Sequence, residues 1–383
     1  MKKTKDAIGF GNDGNPIRPP KNLAEAGMTK GCSNDLSRYY GLLIAFALLL
    51  SACGAAATPV ATTAPTVTPT GTPIPTATET PIPTQTLLPT FTPQAPWYQQ
   101  LDPAMGVLKY KYANVVNAKA RVYASFQDAV GKTGNYGHLP NYPAYVAYIT
   151  SQAGSDGQTY YLVNYGWMNG GDLQLLTPSV FTGLLLTREV TFRFGWVLAE
   201  TQSVNAAGAT VQTYQRYQVV HEVPAAEQKP GYIAIGADEW LPESAVALVN
   251  PAVPAEAGPD TCRFIYANLA TQTLSVYDKC KVVFSTLISS GKNSWTFEGR
   301  FAILYKVDYS SITPPASSTS DYYIEGVPYF MTYAGNFGFH AAYWHDAFGS
   351  AASHGCINLA PADAKWLYDW AGLGERVIIS AGK

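Results

Sequence analysis

The residues best suited to chemistry lie together near the end of the sequence, in the run Ser353-His354-Gly355-Cys356-Ile357-Asn358. Two further histidines, His340 and His345, precede this run, so that three of the chain's five histidines fall between positions 340 and 354. A thiolate is a far better nucleophile than a thiol, and histidine has the unperturbed pKa nearest to neutrality. A cysteine close to imidazoles is therefore a candidate for covalent catalysis.

Short strands must position these residues, because the segment 260–383 is rich in strand-like runs. We expect strands at 263–267, 273–277, 282–289, 299–304, 329–333 and 376–380. One helix follows the cysteine, since Pro361 suits a first helical turn and apolar residues then recur at helical spacing from Trp366 to Ala371. Residues 260–383 are therefore predicted to form a mainly β domain with one helix.

Composition places this domain in a larger protein and excludes some partners. The chain has 383 residues, which suits two or three modules, and 47% of them are apolar. Charged residues make up only 14%, and the formal net charge is −2. Because there is no basic surplus, nothing points to nucleic acid.

The N-terminus indicates export. The apolar run from Tyr39 to Leu50 is shorter than the roughly 20 residues that a membrane-spanning helix needs, and fits the core of a signal peptide. It ends in Leu50-Ser51-Ala52-Cys53, which resembles a bacterial lipobox, with Cys53 as the lipid-anchored residue. We therefore expect a signal peptide at 1–53 and a membrane-anchored lipoprotein facing the cell wall. An ordinary signal peptide with a chance cysteine is the alternative, and residues 1–27 fall outside the translated protein if Met28 is the true start.

Two linkers and a β-rich region separate the anchor from the candidate site. Residues 54–96 are dominated by Thr and Pro, which favour an extended chain without a core. Residues 97–250 contain short strand-like runs, and a loose Gly-Trp theme at Trp167, Trp196 and Trp240 resembles small bacterial SH3-like barrels. A β-barrel or β-sandwich is predicted here. Residues 251–259 form a second, Pro-rich linker.

Two cysteines are predicted to pair. If Ala267 faces Leu274 in a hairpin, position 262 lies opposite 279, so that Cys262 and Cys280 come close to disulfide range. An exported protein can keep such a bond. Two separate buried thiols are the alternative.

The candidate site resembles a known family. His340, Gly349 and the run from Ser353 to Leu359 are similar to the signature of L,D-transpeptidases of the YkuD type, and the likeness extends over 260–381. The resemblance implies an enzyme that acts on peptidoglycan stem peptides, without a cofactor or a metal. Its cysteine attacks the carbonyl of the third stem residue, expels D-alanine and passes the acyl group to an amine of a neighbouring stem, which gives a 3→3 cross-link. Carbapenems acylate the same cysteine in this family.

The resemblance also assigns roles to individual residues. Cys356 matches the nucleophile, His340 the general base and His354 a second histidine that polarises the site. The Ala341 carbonyl is expected to hold His340. Three further residues surround the cysteine: Ser353 orients its loop, the amides of Gly355 and Cys356 are natural oxyanion donors, and Asn358 fills a motif position. Tyr343 and Trp344 wall the substrate groove or pack in the core, and His345 has no clear role.

Three alternatives compete with this interpretation. His340, His345, Asp346, His354 and Cys356 are potential zinc ligands, although their spacing is not a common zinc pattern. A stalk that binds the wall without catalysis is a second alternative, and a carboxypeptidase that uses the same thioester is a third. We expect a monomer.

Overall fold

The computed structural model describes residues 96–106, 108–225, 227, 229–259, 262–314 and 321–382. The predicted signal peptide, the lipid anchor Cys53 and nearly all of the Thr/Pro-rich linker lie outside these residues.

The regular structure of the N-terminal half of the described chain consists mainly of short strands, as its short strand-like runs predict. These are β1 Tyr98–Gln100, β2 Lys111–Val115, β3 Val122–Tyr123, β4 Tyr136–Gly137, β5 Ala144–Ala153, β6 Thr159–Val163, β7 Gly166–Asn169, β8 Leu173–Leu176, β9 Leu184–Leu186, β10 Phe194–Val197, β11 Thr201–Val204, β12 Thr210–Tyr214, β13 Val219–His221, β14 Tyr232–Gly236, β15 Glu239–Pro242 and β16 Val246–Val249. A short helix α1, Phe126–Gly131, begins at Ser125, whose hydroxyl accepts a hydrogen bond from the Asp128 amide.

The C-terminal half is also mainly β. Its strands are β17 Phe264–Asn268, β18 Thr273–Asp278, β19 Lys281–Leu287, β20 Gly299–Ala302, β21 Tyr305–Ile312, β22 Tyr323–Ala334, β23 Phe337–Ala341, β24 Ile357–Leu359 and β25 Arg376–Ser380. The predicted helix is present as α2, Pro361–Trp370, with proline in its first turn. None of the helices in the described ranges is long and apolar enough to cross a bilayer.

Two sheets enclose the main core. One has the order β1-β9-β19-β18-β17-β25-β20, and an 11-stranded sheet contributes β22, β23 and β24. Between them lies one apolar cluster that includes Ile265 and Val276 from the first sheet, Met331 and Phe339 from the second, and Leu367 from α2. Over its described residues, this half of the chain is thus a β-sandwich with one α-helix, as the sequence predicts.

Strands from both halves of the chain share these sheets. The N-terminal β9 pairs with β19, and β5 runs parallel to β22. Two smaller sheets, β13-β10-β16 and β12-β11-β15-β14, complete the N-terminal half. The segment 251–259 packs as well, because Ala257 is buried and the Ala252 carbonyl accepts a hydrogen bond from Tyr277. The domain boundaries drawn from the sequence stay a prediction.

The hairpin that carries the cysteine pair has the expected register. Ala267 lies opposite Leu274 in the antiparallel pairing of β17 and β18. The Cys280 amide donates to the Cys262 carbonyl at 2.9 Å, and a disulfide joins the two residues.

Two buried carboxyl groups join the halves. Glu325 of β22 accepts a hydrogen bond from the Asn164 amide at 2.9 Å, and burial raises its pKa to about 8. Asp363 of α2 accepts one from the Gly183 amide at 2.8 Å and another from the Thr286 hydroxyl, and burial raises its pKa to about 7. Both groups therefore favour the protonated form in the folded protein.

We predict that the protein loses stability as pH rises, and that Glu325→Gln reduces this loss. A buried carboxyl group whose pKa is raised on folding stabilises the folded state fully below its unfolded pKa of about 4. This stabilisation is lost progressively as pH rises to the folded pKa values of about 7 and about 8. The loss is about 1.4 kcal/mol for each unit of pKa shift. Glutamine mimics the neutral acid. Urea unfolding at pH 5 and pH 9 measures the difference, with Glu189→Gln, at an exposed glutamate, as the control. An equal fall in the wild type and in Glu325→Gln contradicts the prediction.

Candidate active site

The pairing of β23 with β24 places the predicted nucleophile and base on the same face of the sheet. The two strands are parallel, with Phe339 opposite Ile357 and His340 opposite Asn358. Phe339 and Ile357 point into the main core. Because side chains alternate along a strand, His340 and Asn358 lie on the opposite face.

Cys356 lies on this same face. It packs against the apolar cluster that contains Phe330, and Phe330 stacks on the His340 ring with centroids 5.3 Å apart. By extension of the register, Cys356 lies opposite Gly338, diagonal to His340. Diagonal neighbours on one face of a sheet are about 7–8 Å apart, within reach of a ring-sized side chain. The predicted pair is therefore positioned by two adjacent strands.

His340 is a neutral imidazole in the folded protein. Its Nδ1 lies 3.1 Å from the Ala341 carbonyl oxygen, which can only accept a hydrogen bond, so that Nδ1 carries the proton and Nε2 is left as the acceptor. The ring is buried between Phe330 and Trp344, and this burial lowers its pKa to about 4. The Ala341 carbonyl thus occupies the position that the sequence predicts for it.

The thiol of Cys356 is neutral as well. Burial raises its pKa to about 11, and a backbone hydrogen bond from Gly338 offsets part of this effect. Its Sγ lies 3.8 Å from the Asn336 carbonyl oxygen. With both groups neutral at pH 7, a nucleophilic role for Cys356 would require its proton to pass to the imidazole during the attack.

Hydrogen bonds hold the loop before the cysteine. The Ser353 hydroxyl donates to the Cys356 carbonyl and accepts from the Gly355 amide at 3.0 Å. Thr296 Oγ1 donates to the Gly355 carbonyl at 2.7 Å. Gly355 has a φ of +130°, and a Cβ there would lie 2.3 Å from the Phe337 ring, so that only glycine fits.

The oxyanion prediction needs a correction at Gly355. Its amide is already bonded to the Ser353 hydroxyl, so it is not available to an oxyanion in this arrangement. Of the two amides named from the sequence, the one that remains for this role is that of Cys356.

The second histidine of the motif, His354, lies between two aromatic rings. Trp295 stacks on one side with centroids 5.5 Å apart, and Tyr322 on the other at 4.6 Å. Burial, and then the nearby Lys292 cation, lower its pKa. The contacts therefore place His354 at the mouth of the site together with Tyr322, which precedes β22.

Tyr343 and Trp344 have different surroundings. Tyr343 is only 1% exposed, stacks on Tyr112 with centroids 3.6 Å apart, and donates to the Glu325 carbonyl at 2.6 Å. Tyr343 is therefore a core residue, which is the second of the two alternatives that the sequence left open. Trp344 is partly buried and contacts His340, so that it remains a candidate wall residue.

Sequence reasoning missed two contributors to this site. Phe330 stacks on the His340 ring and covers it. Nε2 of His345 lies 2.9 Å from the side-chain carboxamide of Asn358. The spacing of His345 from His340 was the available signal, but a spacing does not reveal a hydrogen-bond partner. In the described part of the chain, no three His, Cys, Asp or Glu side chains are grouped so that they could hold a metal ion.

Comparison with known proteins finds a family match in the C-terminal half. Residues 263–379 match the profile of the YkuD family, the L,D-transpeptidase catalytic domain. No curated protein sequence matches the chain.

Three solved structures illustrate the similarity. The crystal structure of a cysteine-to-serine mutant of Enterococcus faecium L,D-transpeptidase is 26% identical over 31% of this chain and 49% of that chain, with a TM-score of 0.29. The NMR structure of the E. faecium catalytic domain acylated by ertapenem is 27% identical over 32% of this chain and 100% of that one, with a TM-score of 0.29. An L,D-transpeptidase from Mycobacterium smegmatis is 20% identical over 54% and 92%, with a TM-score of 0.29. The match thus spans about half the length of the crystallised E. faecium protein.

We predict that Cys356 reacts slowly with iodoacetamide at pH 7 and that its rate rises about tenfold per pH unit toward pH 10. A thiol pKa raised to about 11 means that the thiolate is lost as pH falls below that value. The pH–rate profile, corrected with Cys356→Ala for the other cysteines, measures this dependence. A plateau that begins near pH 6 would instead indicate a thiolate–imidazolium pair.

Proposed function

We propose that the protein forms 3→3 cross-links in peptidoglycan through a cysteine thioester. The premise is that residues 263–379 match the YkuD-type L,D-transpeptidase catalytic domain. The observation that supports this proposal most directly is the neutral His340, with its accepting Nε2, on the same sheet face as Cys356 and on the neighbouring strand. Acyl transfer needs a nucleophile and a base held by rigid elements in this way.

The first half of the reaction forms the thioester. The Cys356 sulfur attacks the carbonyl carbon of the third stem residue while His340 Nε2 takes the thiol proton. The Cys356 amide donates to the oxyanion that develops on the former carbonyl. The C–N bond to the terminal D-alanine then breaks, and His340 returns its proton to the leaving amine. An acyl group remains on sulfur.

The second half transfers that acyl group. His340, neutral again, accepts a proton from the acceptor amine of a second stem as that amine attacks the thioester carbon. The C–S bond breaks, and His340 gives the proton to the leaving sulfur, which restores the thiol of Cys356 and the neutral imidazole. If water replaces the amine, the same intermediate gives a tripeptide and the enzyme is a carboxypeptidase, so that the acceptor decides between the two reactions.

The proposed location is the outer face of the membrane. The apolar run before Cys53 and the Thr/Pro-rich segment after it support an exported lipoprotein whose catalytic half reaches the wall on a tether.

We predict that Cys53→Ser abolishes lipid labelling and releases the protein from membranes. A thioether-linked lipid is possible only on sulfur, and membrane fractionation with metabolic fatty-acid labelling reads out both effects. Labelling that survives in Cys53→Ser contradicts the lipobox assignment.

We predict that meropenem adds its mass to the wild-type full chain and not to Cys356→Ala, and that His340→Gln slows acylation by about 10²–10⁴-fold, the usual contribution of a general base. Intact-protein mass spectrometry over time measures these rates. His138→Gln is the matched control, because His138 Nδ1 also pairs with a backbone carbonyl, that of Ala120 at 2.9 Å, and has no contact with the thiol.

Stem tetrapeptides with and without an amine acceptor then distinguish the dimer of a transpeptidase from the tripeptide of a carboxypeptidase. The proposal fails if meropenem labels Cys356→Ala as fast as the wild type, or if His340→Gln reacts at the wild-type rate.

A further inference from the structure

The hydrogen bonds of His345 determine which of its ring nitrogens carries the proton and faces Asn358. The Ala347 amide donates to His345 Nδ1 at 3.1 Å. Burial lowers the pKa of His345 to about 4, so that the ring is neutral at pH 7 and carries its single proton on Nε2. Nε2–H is therefore a donor, and it lies 2.9 Å from the carboxamide of Asn358.

Only one orientation of the Asn358 carboxamide agrees with this donor. Two N–H groups cannot bond to each other, and amide oxygen and nitrogen are interchangeable in shape. Asn358 Oδ1 is buried and has no partner among the described residues when Nδ2 faces His345. With Oδ1 turned to His345 Nε2, that oxygen is satisfied, and Nδ2 takes the buried position at which Oδ1 has no donor.

The Nδ2 group of Asn358 then lies in a chemically useful place. Asn358 is 2% exposed, is directly opposite His340 in the strand pairing and shares its sheet face with Cys356. A buried N–H donor without a protein partner costs stability unless something binds to it. A carbonyl oxygen of the acyl donor, a peptide that must lie beside Cys356, would satisfy it.

The loop that carries His345 is held from the N-terminal half of the chain. Ser179 donates to Asp346 Oδ1 at 2.5 Å, and Arg216 forms an ion pair with Asp346 Oδ2 at 3.3 Å. The Tyr217 hydroxyl donates to the Asp346 carbonyl at 2.9 Å. Because Asp346 directly follows His345, these contacts fix the backbone from which the imidazole reaches Asn358.

We propose that His345 is a positioning residue, which turns the Asn358 carboxamide so that its Nδ2–H group binds a peptide carbonyl of the acyl donor, and that Ser179, Arg216 and Tyr217 hold it there through Asp346. This inference rests on the proposed acyl transfer. It gives the N-terminal β segment a part in substrate binding, with the peptide carbonyl as the group that is recognised.

Four variants of the full chain test the positioning role, with acylation by a stem tetrapeptide as the assay. His345→Phe keeps the ring volume and removes the donor, and we expect a 10- to 100-fold loss. Asn358→Ala removes the amide and should cost as much. The double variant should be no slower than Asn358→Ala alone, because both changes remove one interaction. His345→Gln, whose amide N–H can reach a similar position, should recover activity to within a few-fold of the wild type.

The iodoacetamide pH–rate profile of Cys356 separates positioning from general damage. It should be unchanged in His345→Phe, because His345 does not touch the thiol. If His345→Phe fails to fold, His345→Asn replaces it, since its shorter side chain cannot reach Asn358. The proposal is overturned if the folded His345 variant, His345→Phe or His345→Asn, is acylated at the wild-type rate. It is also overturned if the rate losses of the two single variants multiply in the double variant.

The contacts of Ser179, Arg216 and Tyr217 with Asp346, here called the clasp, are tested by a matched pair of variants. Arg216→Met should slow acylation several-fold, whereas Lys281→Met should not, although Lys281 also bridges the two halves through an exposed ion pair with Glu189 at 2.6 Å. Equal effects of the two changes contradict a specific clasp.

A measurement without substrate keeps this inference distinct from the proposed function. Long-range ¹H–¹⁵N spectra should show His345 as the Nε2–H tautomer, with slow exchange of that proton in the wild type and fast exchange in Asn358→Ala. An Nδ1–H tautomer refutes the hydrogen-bond assignment even if the protein is an active transpeptidase. If the tautomer is as expected but the wild type forms no thioester, it is the proposed function that fails, and with it the substrate role of Asn358.

Discussion

The parallel pairing of β23 with β24 is the constraint on which the site depends. A strand has two faces, and here one face is committed to the sandwich core by Phe339, Ala341, Ile357 and Leu359. The polar residues between them have no choice of face, so that His340, Asn358 and the adjoining Cys356 are gathered on the other side. A slip of one residue in this pairing would exchange the two sets, burying the imidazole among aliphatic side chains. The apolar core therefore enforces the register that the chemistry needs.

The aromatic cover of this face determines the ionisation of the pair. Phe330 and Trp344 remove water from His340, and burial acts on the thiol in the opposite direction, since it disfavours the charged form of each group. The resting site then holds a neutral thiol and a neutral imidazole on one face of the sheet. In the proposed reaction, this makes proton transfer part of the attack. The Ala341 carbonyl supplies the remaining requirement, because it fixes the tautomer that leaves Nε2 free to accept.

Local sequence signals predicted much of the C-terminal half and little of its surroundings. The closing strand 376–380, the helix after Pro361 and the register of Ala267 with Leu274 follow from short-range patterns, and the structure has them as expected. The strand-like runs of residues 97–250 are less exact guides to the strands. Residues 190–192 are irregular and the next strand begins at Phe194, while the segment 214–223 is interrupted at Tyr217, whose φ is +68°. The burial of Tyr343 and the partner of His345 depend on contacts distant in sequence, which periodicity cannot show. The Gly355 amide was misassigned because the Ser353 hydroxyl competes for it locally.

The N-terminal β segment shapes the strand that covers the site. Tyr112 stacks on Tyr343, and their hydroxyls bind two consecutive carbonyls of β22, those of Gly326 at 3.0 Å and Glu325 at 2.6 Å. Gly326 has a φ of +62°, and a Cβ there would lie 2.7 Å from the Ala147 side chain of β5. The change of backbone direction at Gly326, here called the bend, therefore depends on glycine and on the close packing of β5. Phe330, the shield of His340, lies on the same strand after this bend. Without the N-terminal segment, β22 and β19 would each lose a partner strand, and the bend would lose the hydroxyl of Tyr112. The N-terminal segment thus contributes partner strands and a hydroxyl group to the strand that covers the candidate site.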